Sequence, residues 1–146
     1  MIELLVVVAL ISVMVSISFP ALTSGIDTLR LNAATNGIVS FLNLGLDRAE
    51  RRQQMVEITV SKSRNSLEMH TTSEKFERKF AMPEGVSITH VLPELDADPG
   101  DRTFVLYPGG TVPGFGIELV NRKRADRIVR IDPVTGVPRV EHPAVQ

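Results

Sequence analysis

Glu3 stands directly in front of an apolar run, "IELLVVVALISVMVSISFPAL". A lone carboxylate is expensive in hydrocarbon, about 2.5–3.5 kcal/mol for Asp at a helix centre. At the end of a span it reaches the interface and costs less. In the first turn of a helix it also gains about 0.3–1 kcal/mol from the dipole. Residue type alone supports an interfacial anchor and leaves any further task of the carboxylate open.

Other clusters carry less. Loop 96–101, "DADPGD", presents Asp96, Asp98 and Asp101 around Gly100. A calcium loop of the EF-hand kind wants glycine at its sixth place and glutamate at its twelfth. Counted from Asp96, the glycine comes one place early, Pro99 stiffens the loop and Tyr107 takes the twelfth place. A solvated turn fits better, and no metal site is expected. The stretch "NRKRADRIVR" brings Arg122, Lys123, Arg124, Arg127 and Arg130 near one hairpin. Such runs are usually solvated turns. The functional alternative is contact with nucleic-acid phosphates, which would be strongly salt-dependent. No aromatic lies inside the run to stack on bases. His70, His90 and His142 are scattered, with no His-x-x-x-His pair and no G-x-S-x-G elbow. "YPGGTVPGFG" lacks the Lys-Ser/Thr that completes a phosphate loop. The chain is therefore not read as an enzyme: no catalytic residue and no cofactor is expected.

Composition sets the frame. The 146 residues suffice for one compact domain with an appendage. Lys+Arg 16 against Asp+Glu 17 gives a formal charge of -1, so nothing global points to nucleic acid. Cysteine is absent, which excludes disulfides, a Cys-ligated zinc and a cysteine nucleophile. Aromatics make up only 5%, so the core must be mainly aliphatic.

From Leu4 to Leu22 no charge occurs, close to the ~20 residues that cross the hydrocarbon as a helix. Ser12, Ser16 and Ser18 can bond back to helix carbonyls. A cleaved secretory signal would want a basic leader, a shorter apolar stretch and a small-x-small exit. No base precedes this run, and a membrane span fits better. An amphipathic stretch then continues to about Gln54. Leu31, Ala34, Ile38, Phe41, Leu42 and Ala49 recur at three- and four-residue steps on one helical face. Leu22, Ile26, Leu29 and Ala33 fall on roughly the opposite side. The spacing predicts one long helix with two sticky faces, the upper for this chain's own domain and the lower for other helices. Pro20 would kink or end it. Gly25, Gly37 and Gly45 weaken it by up to ~1 kcal/mol each relative to alanine.

Beyond Gln54 the period becomes two. In "MVEITVSK", Val56, Ile58 and Val60 lie on one side and Glu57 and Thr59 on the other. Further strand candidates are "SLEMHT", "KFERKFAM", "VSITHVL", "TFVLYP", "GIELVN", "RIVRID" and "VPRVE", separated by turn residues. Short strands at this spacing predict an antiparallel sandwich or open barrel. The fold class expected is α+β: a long N-terminal helix, its first half membrane-spanning, then a small antiparallel β-sandwich-like domain. Residues 1–22 form the transmembrane half, 23–54 the amphipathic half packing on the domain, and 55–146 the β domain.

The opening residues and this layout resemble type IV pilins and the pseudopilins of type II secretion. Those proteins carry a basic leader ending in glycine, then Phe-Thr-Leu-Ile-Glu and a long apolar segment. Ile2 and Glu3 match the end of that motif, Met1 stands where leucine is usual, and Pro20 falls at the helix-bending proline. The part "FVLYPGGTVPGFGIELVNRKRADRIVRIDPVTGVPRVE" is similar to minor pseudopilins of the GspH/FimT type.

The resemblance implies a minor pseudopilin, a structural subunit of the periplasmic pseudopilus, assembling through its N-terminal helix. Glu3 would pair with the N-terminal amine of a neighbouring subunit, and Pro20 would shape the helix. The implied partners are other pseudopilins or pilins, an inner-membrane assembly platform, and prepilin peptidase acting on a precursor, with N-terminal methylation. The implied location is the bacterial inner membrane, single-pass, with the C-terminal domain in the periplasm. The alternative within the superfamily is a FimT-like minor pilin touching DNA through Arg122, Lys123, Arg124 and Arg127, although nucleic acid is not the expected partner. The alternative of another class is a membrane-anchored β domain that never polymerises. In-frame codons upstream are expected to encode a basic leader ending Gly-Phe-Thr.

Overall fold

The computed structural model describes residues 1–72, 75–97 and 99–142, and the side chains of 19–24 lie outside the description. Helix α1 (Ile2–Arg52) takes up 51 residues, about 76 Å at 1.5 Å per residue. It continues unbroken through Pro20, so the proline does not divide it into two helices. It stops at Gln53, whose φ of 52° places it in the left-handed region and whose N–H bonds the carbonyl of Ala49. Arg51 and Arg52 occupy the last turn, where cations complement the carbonyl end of the helix dipole.

Leu31, Ala34, Ile38, Phe41, Leu42 and Ala49 are all buried, the face that their spacing marks. The helix glycines have a packing reason. A Cβ on Gly37 would lie 2.2 Å from Phe80 Cζ, and one on Gly45 would lie 2.9 Å from Met69 Cε. Their missing side chains let a sheet approach the helix backbone.

Eight strands follow: β1 (Val56–Ser61), β2 (Ser66–Thr71), β3 (Glu77–Ala81), β4 (Val86–Leu92), β5 (Asp101–Leu106), β6 (Gly116–Asn121), β7 (Asp126–Ile131) and β8 (Pro138–Glu141). They form two four-stranded sheets, ordered β3-β2-β1-β5 and β4-β6-β7-β8. Every pairing is antiparallel. In the first sheet Ile58 stands opposite Met69 on one side and Phe104 on the other. The chain is thus α+β, a long N-terminal helix followed by two antiparallel sheets.

Residues of α1 and of both sheets share one hydrophobic core. Phe104 of β5 stacks on Phe115 just before β6, with centroids 3.9 Å apart. The Arg48 guanidinium lies 3.7 Å above the Phe76 ring, a cation–π contact between helix and sheet. Polar ties reinforce the seams. Asn65, at φ 50°, donates to the carbonyl of Val86 at 2.7 Å and accepts from the N–H of Ile88 at 2.9 Å. It thereby fastens the β1–β2 turn to β4. At the far end, Glu50 accepts from the N–H of Gly109 at 3.0 Å and holds the glycine-rich loop to the helix.

Candidate functional site

Residues 2–18 of α1 stand clear of this core. Ile2, Leu4, Leu5, Leu10, Ile11, Val13, Met14 and Ile17 are all exposed, and even the least accessible large aliphatic there, Val7, is 48% exposed. The hydroxyls of Ser12, Ser16 and Ser18 donate to the carbonyls of Val8, Ser12 and Met14 at 2.8–2.9 Å. The polar side chains are thus satisfied within the helix and leave an apolar exterior on every side. Glu3 lies in the first turn and is exposed. Among the described residues no helix is long and apolar enough to cross a membrane. The last described apolar side chain of this run is Ile17, and the sequence continues apolar through 19–22, whose side chains lie outside the description.

Past this segment the two faces separate. Ile26 and Leu29 are 47% and 68% exposed and Ala33 is exposed, while Leu31 and Ala34 on the other side are buried. Leu22, which belongs to the outer face by spacing, lies outside the described side chains, as does Pro20.

The basic run sits where the helix enters the domain. Asn121 closes the β6–β7 turn: its side-chain oxygen accepts from the N–H groups of Lys123 and Ala125, both at 2.9 Å. Its amide nitrogen donates to the carbonyl of Asp27 at 3.5 Å. Arg122 pairs with Glu84 at 2.5 Å, and Arg30 of the helix stands 4.0 Å from the same carboxylate. The Arg122 hydrogen bond and charge, with Arg30 behind them, hold the Glu84 carboxyl below its ordinary range. Lys123 and Arg124 are exposed at the tip. Arg127 is half-buried, bonding the carbonyl of Asp126, and Arg130 pairs with Glu141 at 3.2 Å. The run is therefore not one continuous basic strip. Arg30 and Glu84 join it from elsewhere in the chain; the arginine's place on the helix flank is the only sequence sign of it.

The acidic loop is drawn into structure. Asp101 Oδ1 accepts from Ser61 at 2.5 Å and Ser63 at 3.3 Å, and its Oδ2 accepts from Arg64 at 3.1 Å. Asp96 is exposed, and Asp98 lies outside the described residues. Among the described residues no group of three His, Cys, Asp or Glu gathers to hold a metal. His90 bonds Glu118 at 3.0 Å beside an open cleft of about 260 Å³ that also includes Lys62, Glu94 and Arg102. The Arg102 guanidinium there is spent on the carbonyls of Val91 and Pro93. Among the described residues these contacts tie neighbouring segments of the domain together. The surface with unmet chemistry is the exposed apolar helix, with Glu3 at its tip.

Two solved structures share this architecture. The minor pseudopilin EpsH from the Type 2 Secretion System of Vibrio cholerae aligns with a TM-score of 0.61 at 12% identity, over 80% of this chain and 99% of that one. The type IV minor pilin FimU of Pseudomonas aeruginosa aligns with a TM-score of 0.55 at 11% identity, over 78% of this chain and 88% of that one. The fold is type IV pilin-like. No family model matches the sequence, and no curated protein matches it. The pilin-like fold accounts for the disposition of the surfaces: a bare segment at the start of the helix and a domain packed on one face of its second half. At such low identities the likeness carries the fold alone.

Proposed function

We propose that the chain is a minor pseudopilin, a structural subunit that enters a type II secretion pseudopilus through its N-terminal helix. The observation carrying this reading is the bare half of α1, apolar on all sides with one carboxylate in its first turn. Such a surface requires either lipid or other helices around it. Before assembly, residues 1–22 span the inner membrane once and the β domain stands in the periplasm. Prepilin peptidase trims the precursor and an inner-membrane platform extracts the helix. In the filament the same apolar surface packs against neighbouring helices, with residues 23–54 joining it to the domain. Glu3 then finds the N-terminal amine of a neighbour, which sets the stagger. The subunit is a building block and performs no catalysis.

The test uses a chain that is naturally free of cysteine. Single cysteines at Val13 and at Leu29 should form cross-links to other subunits in assembling cells. Glu3→Ala should still insert in the membrane and should enter filaments at least tenfold less well. Wild-type incorporation of Glu3→Ala would remove the carboxylate from the mechanism. Absence of any inter-subunit cross-link would favour an anchored β domain that does not polymerise. The likeness to FimU supports a second reading, a minor pilin of a type IV pilus. Deletion of the gene separates them: lost export of secreted proteins marks a pseudopilin, lost surface pili a pilin.

A further inference from the structure

The rim of the domain through which α1 leaves is basic at a fixed height above the apolar segment. Asp27 and Arg30 are bonded to this rim through Asn121 and Glu84. Asp27 lies five residues after Leu22, where the apolar run gives way to Thr23, Ser24 and Gly25, or about 7–8 Å along the helix. The headgroup layer of a bilayer is about 5–8 Å deep on each side. With the first half of α1 in a membrane, the β6–β7 tip therefore comes to rest at the phosphates.

The charges at that height are unequally committed. Glu84 is taken by Arg122 and Arg30. Among the described residues no acid pairs with Lys123 or Arg124, and both are exposed. The tip carrying them is rigid. Asn121 ties the N–H groups of Lys123 and Ala125, the N–H of Arg124 bonds the carbonyl of Asn121 at 3.0 Å, and Arg124 holds φ 59°. Two exposed basic side chains thus extend from a hydrogen-bonded loop.

From these placements we propose that Lys123 and Arg124 dock onto anionic phospholipid headgroups of the membrane that holds the helix. The inference rests on the membrane-spanning half of the proposed function. Two bases would hold a free domain on lipid only weakly. Tethered by the helix, the contact is intramolecular and needs little affinity of its own. DNA fits less well, because useful phosphate binding takes many contacts, and the acids Asp27, Glu84 and Asp126 offset much of the surrounding positive charge. Docking would stand the domain upright on the membrane and would have to be broken when the helix is withdrawn, making the rim a latch against premature extraction.

The full chain is reconstituted into vesicles of phosphatidylcholine alone or with one-third phosphatidylglycerol, and resistance to alkaline extraction reports insertion. Hydrogen exchange of amides 121–125 reports docking. Insertion is expected in both vesicles. Exchange at the tip should slow only with phosphatidylglycerol, by about fivefold for each base engaged. The slowing should vanish at about 0.5 M salt. It should also vanish in Lys123→Glu/Arg124→Glu, with amides 56–61 unchanged as a control for folding. Equal tip exchange in both vesicles by an inserted chain would overturn the proposal and leave the membrane reading intact. Slowing by duplex DNA without dependence on lipid charge would assign the rim to nucleic acid instead. Extraction from both vesicles would overturn the membrane reading and the docking together.

Discussion

Asp101 shows how a single residue can look functional and prove structural. The Ser61 hydroxyl, opposed by partial desolvation and aided by Arg64 and Ser63, holds its carboxyl below the ordinary aspartate value. A carboxyl depressed in the folded state adds stability above its unfolded value, near 3.9. That stability is lost as pH falls through the lower folded value. The melting temperature should therefore drop as pH falls below about 4, and Asp101→Asn should flatten that drop. An equally steep drop in the variant would shift the effect to other acids such as Asp132, which the N–H of Val134 chiefly holds low. Asn65 makes a second test. Asn65→Ala removes both half-buried bonds to β4 and should cost about 1–3 kcal/mol in denaturant melts. Asn65→Gly should recover only the share due to the left-handed backbone. The acids of the loop are legible in sequence, but the partners of Asp101 in β1 and the following turn lie 37–40 residues away. No local pattern connects them.

At the scale of elements, period and turn chemistry reach far. The six apolar positions at three- and four-residue steps are the buried face of α1, and each alternating segment is a strand. Their partition into two sheets, with β5 beside β1 and β4 beside β6, depends on contacts across the fold and has no signature in any window. The helix glycines illustrate the same limit. Propensity reads them as weak points, whereas the packed structure uses the space they leave. Gly37→Ala gains up to ~1 kcal/mol of propensity but drives a methyl to 2.2 Å from Phe80. Phe80 is itself set against Phe41, with centroids 6.3 Å apart, so its ring must shift at a cost of about 1–3 kcal/mol. A net loss of stability is expected, partly recovered by Phe80→Leu in the same chain. Gly25, with nothing within 4 Å, should tolerate alanine without loss. Equal effects at the two sites would mean that propensity alone governs them.

The whole molecule behaves as two parts that share one helix, and truncation should find the border. Leu31 is the first residue of α1 to enter the core, and the polar ties from Asp27 and Arg30 stand just ahead of it. A chain beginning at residue 25 keeps all of these contacts and sheds the apolar half. It should be soluble and should melt at the same denaturant concentration whether or not the helix before it is restored in micelles. A chain beginning at residue 33 forfeits Leu31, which is 1% exposed. Loss of a buried leucine side chain costs about 2–5 kcal/mol, so its midpoint should fall well below that of the first truncation. If the chain beginning at residue 25 were already destabilised by more than about 1 kcal/mol, a typical single-site effect, the bare half would have to pack on the domain. Equal midpoints would mean that residues 25–32 contribute nothing to the stability of the domain. Independence of the parts bears on assembly. Under the proposed function, a helix that contributes nothing to the domain through its first half would exchange lipid for neighbouring helices while the β-sheets stay folded. The free energy of that transfer would then be set by the apolar surface, by Glu3 and by the proposed headgroup contacts of Lys123 and Arg124, and not by the stability of the domain.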